Sequence, residues 1–357
     1  MSSPPKFPDP ATWSYDEYRK FSFHDYMEFL RVPYETVASA FNNFADENLI
    51  AQGTSAMVYK GQLIKSGDLI NVVARKYSNM VGFGASEMVA SYFLNHKYIN
   101  ASVLNYIEPD ENNDSVIIVT KHEANGSLDK HLTGSTLTWM QRLKICVGVA
   151  DALNYIHYGL AFDEHGCVIH SNLYPSKILL DDNWEPKLSG FGHCKKLIDW
   201  HHLHLTKDYN CNKLQYMDPA YEQTNGITVK SDVFSFGVVL FEVLFGMEAS
   251  IKDDDQWYFA RLARLHYEEK TLDGMIDPDL QKQMDLQSLK IFSEIAYFCL
   301  REERKQRPDS KHVLKTLHTA LELQQKYEHS TAGLELSTSD LLKEKKLRSL
   351  TNSINRY

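Results

Sequence analysis

The segment VIHSNLYPSKILLDDNWEPKLSGFGHC, residues 168–194, carries the residues whose types and spacing bear most directly on chemistry. The segment reads like a phosphoryl-transfer centre, which needs one carboxylate as proton acceptor and a second carboxylate plus an amide as metal ligands. The corresponding positions hold Asn172, Gly190 and Lys177. A neutral amide can orient a hydroxyl without taking its proton, and an ammonium repels a divalent cation. The segment therefore predicts the frame of such a centre without its reactive groups.

The turn IAQGTSAMVYKG is a weak match to a glycine-rich phosphate loop. Such loops use glycine because the missing Cβ lets backbone N–H groups approach phosphate oxygens. Only Gly53 has this property here, since Ala51 and Ala56 stand where the pattern has its first and third glycines. An ordinary hairpin is an equally good interpretation.

The strand NVVARKY offers a cation, and the helical segment SEMVASYF offers Glu87. A strand lysine held by a helix glutamate presents a positive charge to nucleotide phosphates. The Val-Ala-x-Lys spacing favours Lys76, with Ala74 before it, whereas a shift of one residue makes Arg75 the inward cation. Because strand side chains alternate, only one of the two faces the cleft.

The elements that must position these residues follow from periodicity. The short β-branched runs AMVYKGQLI, LINVVARKY and SVIIVTK, set between Gly and Asn-Asp clusters, predict a small sheet with one helix over residues 32–123. Residues 124–327 are predicted to be mainly helical, with helices near 231–245, 286–300 and 310–327. One further buried helix is indicated by apolar residues at steps of three or four: Leu143, Cys146, Ala150, Leu153 and Ile156. An N-terminal extension, 1–31, and a polar, basic tail, 328–357, flank the two parts.

Composition limits the class of protein. The 357 residues are 43% hydrophobic and 24% charged, enough for one large domain or two lobes, and the net charge of -9 argues against nucleic acid as a partner. The five cysteines form no C-x-x-C pair, which favours a reducing compartment without a zinc site. The most apolar run, VFSFGVVLFEVLFG, is too short to span a bilayer. We expect a cytoplasmic protein that reaches the plasma membrane, if at all, through partners.

Nine motifs occur in one order along the chain: IAQGTSAMVYKG, VVARK, Glu87, ANGSLDKHL, VIHSNLYPSKILLDD, GFG, YMDPAY, SDVFSFGVVLFEVL and KQRPD. Over about residues 34–325 the chain resembles a protein kinase domain of the plant receptor-like kinase and receptor-like cytoplasmic kinase group. The resemblance implies an α+β, two-lobed kinase-like fold, with a small β-rich N-lobe that has one main helix and a larger, mainly helical C-lobe. It also implies a nucleotide cleft between the lobes.

The resemblance assigns residues to this cleft. The nucleotide-binding positions are Gly53, Val58, Ala74, Lys76, Glu87 and Leu179. Three of them, Val58, Ala74 and Leu179, match the apolar residues that enclose an adenine ring, although they are also ordinary core residues. Asp232 matches the aspartate that fixes the backbone of the catalytic loop.

The departures from the family pattern H-R-D-L-x-x-x-N and D-F-G are concentrated in the reactive groups. Asn172 replaces the base, which is usually worth about 10²- to 10⁴-fold in rate, and Lys177 and Gly190 replace both metal ligands. We therefore expect no active catalytic residue and no metal site, and Mg²⁺ is not expected as a cofactor. ATP remains compatible, because the Lys177 ammonium can pair with a phosphate directly.

Regulatory positions also differ. Ser171 replaces the arginine that reads a phosphorylated activation segment, and Ala220 deprives Arg307 of its family partner. Ser91 stands where an apolar spine residue is expected. Thr206 and Tyr209 are candidate phosphoacceptors in a histidine-rich segment (His193, His201, His202 and His204) whose spacing matches no zinc pattern.

These features predict a catalytically impaired protein-kinase-like protein, a pseudokinase that acts as a signalling scaffold, adaptor or decoy. Its expected partners are other proteins, in particular active kinases or receptors. Two alternatives stay open: a residual or atypical Ser/Thr protein kinase, and a switch that binds nucleotide without transfer. The aromatic arm from Trp13 to Phe29 and the basic tail from Lys343 to Arg348 are candidate partner surfaces, although the arm is also compatible with packing on its own domain.

Overall fold

A computed structural model provides the three-dimensional structure. It describes residues 34–52, 56–65, 67–77, 87, 94–100, 102–108, 115–134, 136–159, 167–197, 204–205, 213–252 and 255–331. All structural statements below concern these residues. They form the two-lobed α+β arrangement that the sequence predicts.

The N-lobe is built on a five-stranded antiparallel sheet in the order β1-β2-β3-β5-β4. The strands are β1 (Leu49–Gln52), β2 (Ala56–Lys65), β3 (Asp68–Tyr77), β4 (Ser102–Glu108) and β5 (Ser115–Lys121). The predicted runs for β2, β3 and β5 are confirmed, whereas β4 was not predicted. Glu87 is in helical conformation, in agreement with the one helix expected in this lobe.

A short helix, α1 (Tyr34–Ala40), covers one face of this sheet and was not predicted. Phe41, directly after α1, packs in a buried cluster with Tyr59, Val72 and Ala74. The helix end approaches β2 closely because Gly61 has no side chain: a Cβ there would lie 2.3 Å from the Ala40 carbonyl oxygen. The covered face of β3 is therefore the one that bears Val72 and Ala74.

The C-lobe is mainly helical, as predicted. Its helices are α2 (Trp139–Tyr158), α3 (Ala220–Thr224), α4 (Val229–Phe245), α5 (Tyr258–Glu268), α6 (Pro278–Gln281) and α7 (Leu286–Cys299). The last described helix, α8, covers residues 310–331. The three helices expected near 231–245, 286–300 and 310–327 are confirmed as α4, α7 and α8, and α8 continues four residues past the expected boundary.

Helix α2 lies at the centre of the C-lobe core, since the apolar residues that predicted it are all buried. It begins with a capping box in which Thr138 and Gln141 exchange hydrogen bonds. Helix α4 has a similar start, where the side chain of Thr228 caps the first turn, and it ends at Gly246 in the left-handed region. Capping residues next to the helices thus set where they begin or end, and burial of their apolar residues sets their position in the core.

Three two-stranded antiparallel ribbons carry the loops at the front of the C-lobe. They pair β6 (Cys167–Ile169) with β9 (Lys195–Leu197), β7 (Ile178–Leu180) with β8 (Pro186–Leu188), and β10 (His204–Leu205) with β11 (Gly226–Ile227). The β7–β8 hairpin brings residue 177 next to residue 189, because the Ser189 amide donates to the Lys177 carbonyl at 2.8 Å. Lys177 and the residue before Gly190 are therefore neighbours in space.

Candidate functional site

The loop 170–177, between β6 and β7, is held by Asp232 in the first turn of α4. Its two carboxylate oxygens accept the backbone N–H groups of His170 and Ser171, each at 2.7 Å. Asp232 also lies 2.9 Å from the ring of His157, and all four residues are buried. The role predicted for Asp232 is confirmed: it fixes the loop backbone.

Ser171 ties this loop to the segment that follows Gly190. Its hydroxyl donates to the carbonyl of His193 at 2.6 Å, and its φ of 60° lies in the left-handed region. The ring of His170 contacts the Ser189 carbonyl at 3.1 Å and packs edge-on against Phe191. Where the family has an arginine that reads a phosphate, this chain has a short hydroxyl that binds backbone directly.

Asn172, at the position of the family's proton acceptor, is buried with 2% of its surface exposed. Its backbone amide donates to the ring of His170 at 3.3 Å. Among the described residues, its side-chain oxygen Oδ1 has no hydrogen-bond partner. A buried amide oxygen without a partner carries a desolvation cost, and it is an acceptor open to a ligand group.

Lys177 and Gly190 are in direct contact. A Cβ placed on Gly190 would lie 2.6 Å from Cδ of Lys177 and 3.3 Å from its Nζ. Gly190 has a φ of 83°, which favours glycine, and the Lys177 ammonium lies 5.3 Å from the centre of the Tyr174 ring. The lysine therefore fills the space that a side chain at 190 would enter.

This donor set does not fit a magnesium ion. Mg²⁺ prefers oxygen ligands, and the two family ligand positions supply an ammonium group and a hydrogen atom. Within the described ranges, no group of three or more His, Cys, Asp or Glu side chains has the arrangement of a metal site.

Arg75 is the strand cation that contacts Glu87. The guanidinium of Arg75 and the phenol of Tyr77 each hydrogen-bond the Glu87 carboxylate at 2.5 Å, and Glu87 is 4% exposed. Burial alone would lower the pKa of Arg75, but the carboxylate of Glu87 raises it above its ordinary value. The arginine stays charged, and its Nε has no hydrogen-bond partner among the described residues.

The preference for Lys76 and Ala74 as cleft residues is wrong. Ala74 packs on the face that α1 covers, together with Phe41, and the Lys76 ammonium lies 5.3 Å from the ring centre of Phe44. In the antiparallel register Val58 stands opposite Arg75, so these two share the other face. The alternative register that the sequence left open, with Arg75 inward, is the one that the structure adopts.

Of the other predicted nucleotide-binding residues, Val58 and Leu179 are half-buried. Val58 lies on the Arg75 face of β2, and Leu179 lies in β7, two residues after Lys177. Gly53 is outside the described residues. Val58 and Arg75 therefore share one face of the sheet, and the role of Gly53 in a glycine-rich phosphate loop stays a prediction.

Lys177 is the second cation of this region. Burial lowers the pKa of its ammonium, the Glu87 carboxylate raises it, and the charge of Arg75 lowers it further. In the described part of the chain the ammonium has a cation–π contact with Tyr174 and no hydrogen bond or ion pair. Two cations and one carboxylate thus meet where the lobes face each other.

Arg307, which lost its family partner to Ala220, pairs with another acid. Its guanidinium contacts Asp218 at 2.7 Å, and neither side chain is exposed. Arg304 binds the other carboxylate oxygen of Asp218 at 2.6 Å. Burial alone would raise the pKa of Asp218, but the charge of Arg307 holds it below its ordinary value. The C-lobe therefore keeps a buried ion pair at Arg307, in which Asp218 is the acid in place of the family's residue at position 220.

Several predicted positions fall outside the described residues: Ser91, Thr206, Tyr209, His201 and His202. The aromatic arm and the basic tail do so as well. His193 is described, and burial lowers its pKa to about 4, which makes the ring neutral at physiological pH. The roles of Thr206 and Tyr209 as phosphoacceptors therefore stay predictions.

Comparison with known proteins identifies the family. The family model described as protein kinase domain matches residues 44–318. The chain belongs to the protein kinase family. The sheet, the helical lobe and the Asp232-bound loop agree with this match, which implies ATP binding in general.

The kinase domain is similar to receptor-like protein kinases of Arabidopsis thaliana. A probable receptor-like protein kinase is 32% identical over 322 residues, which cover 87% of this chain and 37% of that protein. The receptor-like protein kinases FERONIA (31% over 303 residues, 84% and 33%) and THESEUS 1 (33% over 301 residues, 82% and 34%) are similar to the same extent. The chain spans about a third of the length of these relatives. In the portion that the structure covers, no helix has the length and apolar character needed to cross a membrane.

Proposed function

We propose that this kinase domain is a pseudokinase: it is impaired in phosphoryl transfer and acts by binding other proteins, as a signalling scaffold, adaptor or decoy. One observation carries the proposal. The aliphatic chain of Lys177 occupies the space beside Gly190, so the two positions that hold metal ions in active relatives form an apolar and cationic contact instead.

The expected loss of rate is large. Metal ions neutralise the charge that develops on the transferred phosphate, and a general base usually contributes about 10²- to 10⁴-fold. Asn172 supplies no base, and Lys177 and Gly190 supply no metal ligand. One loss affects proton transfer and the other affects neutralisation of the phosphate charge, so both raise the barrier of the same step. Together they support a domain that is strongly impaired in phosphoryl transfer.

A binding role is supported by what the domain retains. Asp232 still fixes the loop backbone, and Arg307 still has a buried partner in Asp218, so the frame that presents surfaces to other proteins is intact. The curated relatives are named receptor-like protein kinases. We therefore propose active kinases or receptors as partners, met in the cytoplasm or at the plasma membrane. The segments 1–31 and 328–357 are proposed as extensions around lobes 32–123 and 124–327.

Phosphoryl transfer is tested with the purified full chain, ATP, and either Mg²⁺ or Mn²⁺. We expect no incorporation of labelled phosphate above that of an Arg75→Met variant, which removes the cation on the strand. Transfer by the wild type that Arg75→Met abolishes would identify a residual Ser/Thr kinase and overturn the proposal. The variant that combines Asn172→Asp, Lys177→Asn and Gly190→Asp shows whether restoring the family groups restores transfer.

The binding role is tested with kinase domains of receptor-like protein kinases immobilised on a sensor surface. We expect saturable binding of the full chain that is equal for wild type and Asn172→Ala, since binding does not need turnover. Deletion of 1–31 or of 328–357 locates the contact on the arm, the tail or a lobe. The absence of saturable binding to these domains would contradict the partner class.

A further inference from the structure

The groups of the cleft that lack partners point to one kind of ligand. Among the described residues, the Lys177 ammonium has no hydrogen bond or ion pair, Nε of Arg75 donates no hydrogen bond, and Oδ1 of Asn172 accepts none. Asn172 is more than nine-tenths buried. Buried donors and acceptors are normally satisfied, so a cluster of unsatisfied ones indicates a missing polar ligand.

The charges of the cluster select an anion. Arg75 and Lys177 contribute two positive charges, and Glu87 neutralises one of them through its contact with Arg75. Each cation approaches the cleft from a different lobe, Arg75 from β3 and Lys177 from the loop before β7. Arginine and lysine are the side chains that bind phosphate in proteins, the first as a planar donor and the second as a point charge.

The surroundings of the cations favour a nucleotide over a free phosphate. Val58 stands opposite Arg75 on the same face of the sheet. Leu179 lies in β7, two residues after Lys177. Both apolar residues are half-buried and therefore still accessible. A ligand with a planar apolar base and a phosphate chain matches apolar residues beside two cations.

We propose that the cleft binds a nucleoside di- or triphosphate without a divalent cation, with the Lys177 ammonium in direct contact with the phosphates. This inference rests on the proposed function, because it takes the cleft as one that holds a nucleotide and does not transfer its phosphate. The ammonium replaces one charge of the ions that active kinases place there. A phosphate chain that already carries Mg²⁺ brings two further positive charges next to this ammonium, so magnesium opposes binding.

Isothermal titration of the full chain with ATP tests the proposal, once in EDTA and once with excess Mg²⁺. We expect saturable binding in EDTA and an affinity roughly tenfold lower with Mg²⁺, from the added repulsion. ADP is expected to follow ATP. Adenosine, which lacks the phosphates, is expected to bind weakly and equally under both conditions, and inorganic triphosphate separates recognition of the base from recognition of the phosphates.

The variant Lys177→Met keeps the aliphatic chain beside Gly190 and removes the charge. We expect it to lower the affinity for ATP in EDTA by roughly tenfold or more, the usual effect of losing a charged hydrogen bond, while adenosine binding stays within about twofold. Lys144→Met, at an exposed position on α2, is the matched control and leaves both affinities unchanged. Thermal melting of the two variants checks that both fold like the wild type.

Three results would overturn the inference: no binding of ATP under either condition, binding that requires Mg²⁺, or equal ATP affinity in wild type and Lys177→Met. Each leaves the proposed function in place, since a pseudokinase can act with an empty cleft. Phosphate transfer in the presence of Mg²⁺ overturns the proposed function instead. The titration and the transfer assay therefore separate the two failures.

Discussion

Cδ of Lys177 lies 2.6 Å from the place where a Cβ on residue 190 would stand. A Cβ at residue 190 and the lysine side chain cannot share that space, so a side chain at 190 would displace Lys177 from this position. The two departures from the family pattern are in this sense one structural change. The β7–β8 hairpin brings residues 177 and 190 together through backbone pairing, which does not depend on their side chains.

Gly190→Ala is expected to destabilise the wild type more than it destabilises a Lys177→Asn background. In both, an L-residue at a φ of 83° costs about 1 to 2 kcal/mol. In the wild type the methyl group must also displace the lysine, which adds a coupling of roughly 0.5 to 2 kcal/mol. Urea unfolding of the four proteins in this cycle measures the difference.

Gly126→Ala is the control for this cycle. Gly126 also has a positive φ, of 68°, but a Cβ there meets only Lys130, at 3.5 Å or more. Its cost should therefore be the same with lysine or asparagine at 177. A coupling of zero between positions 190 and 177 would show that the lysine does not occupy this space in solution.

Arg75→Met is expected to destabilise the domain more than Lys76→Met. Loss of the guanidinium removes a charged hydrogen bond and the counter-charge that the buried Glu87 carboxylate contacts, at a cost of roughly 1.5 to 3 kcal/mol. Lys76 loses a cation–π contact with Phe44, worth about 0.5 to 1 kcal/mol. Denaturant midpoints of the two variants rank the effects, and the reverse order would support the register with Lys76 inward.

The sequence alone did not determine which face of β3 points into the cleft. The pattern Val-Ala-x-Lys fits at residues 73–76, and alternation alone allows either face. The choice is made by packing: Ala74 lies under Phe41, and the helix α1 that brings Phe41 there was not predicted. A seven-residue helix gives little periodic signal, so the face it covers cannot be known from sequence.

Other features were predictable because their causes are local. The apolar stripe predicted that α2 exists, and the run of α4 predicted that helix with boundaries within a few residues, since the apolar and capping residues lie in the sequence itself. The contact of Lys177 with Gly190 and the pairing of Arg307 with Asp218 were not predicted. Each joins residues that are distant in the chain. Each also depends on a second residue, Lys177 or Asp218, that takes the place of a side chain missing at Gly190 or Ala220.

Asp218→Asn is expected to destabilise the C-lobe by about 3 to 5 kcal/mol, because Arg307 would stay buried without a counter-charge. The charges of Arg307 and Arg304 hold the pKa of Asp218 below its ordinary value, despite burial. The stabilisation is therefore present above the unfolded pKa, about 3.8, and is lost as the pH falls through the lower folded value.

Urea unfolding between pH 3 and pH 7 checks both parts of this prediction. The wild type should lose stability in acid more steeply than Asp218→Asn, so the two curves approach each other as the pH falls. Asp279→Asn is the control, because Asp279 forms an exposed pair with Lys282 and should leave the stability unchanged within error. Parallel curves for wild type and Asp218→Asn would contradict the assignment of the ion pair.

Glu242, buried in α4, is expected to make stability fall as the pH rises. Burial raises its pKa to about 8, against hydrogen bonds from the Tyr216 hydroxyl at 2.6 Å and the Ala249 amide at 2.7 Å. The folded state therefore keeps a proton that the unfolded state releases above its ordinary pKa of 4.5. Between these two values the free energy of unfolding should decrease by up to about 1.4 kcal/mol per pH unit.

Glu242→Gln resembles the protonated acid at every pH and removes this dependence. We expect it to match the wild type near pH 5 and to exceed it in stability near pH 8.5, where the wild-type carboxylate is buried and charged. Glu269→Gln, at an exposed position directly after α5, is the control and should follow the wild-type curve. If wild type and Glu242→Gln lost stability in parallel from pH 5 to pH 8.5, Glu242 would titrate near its ordinary value and the buried acid would be ionised throughout.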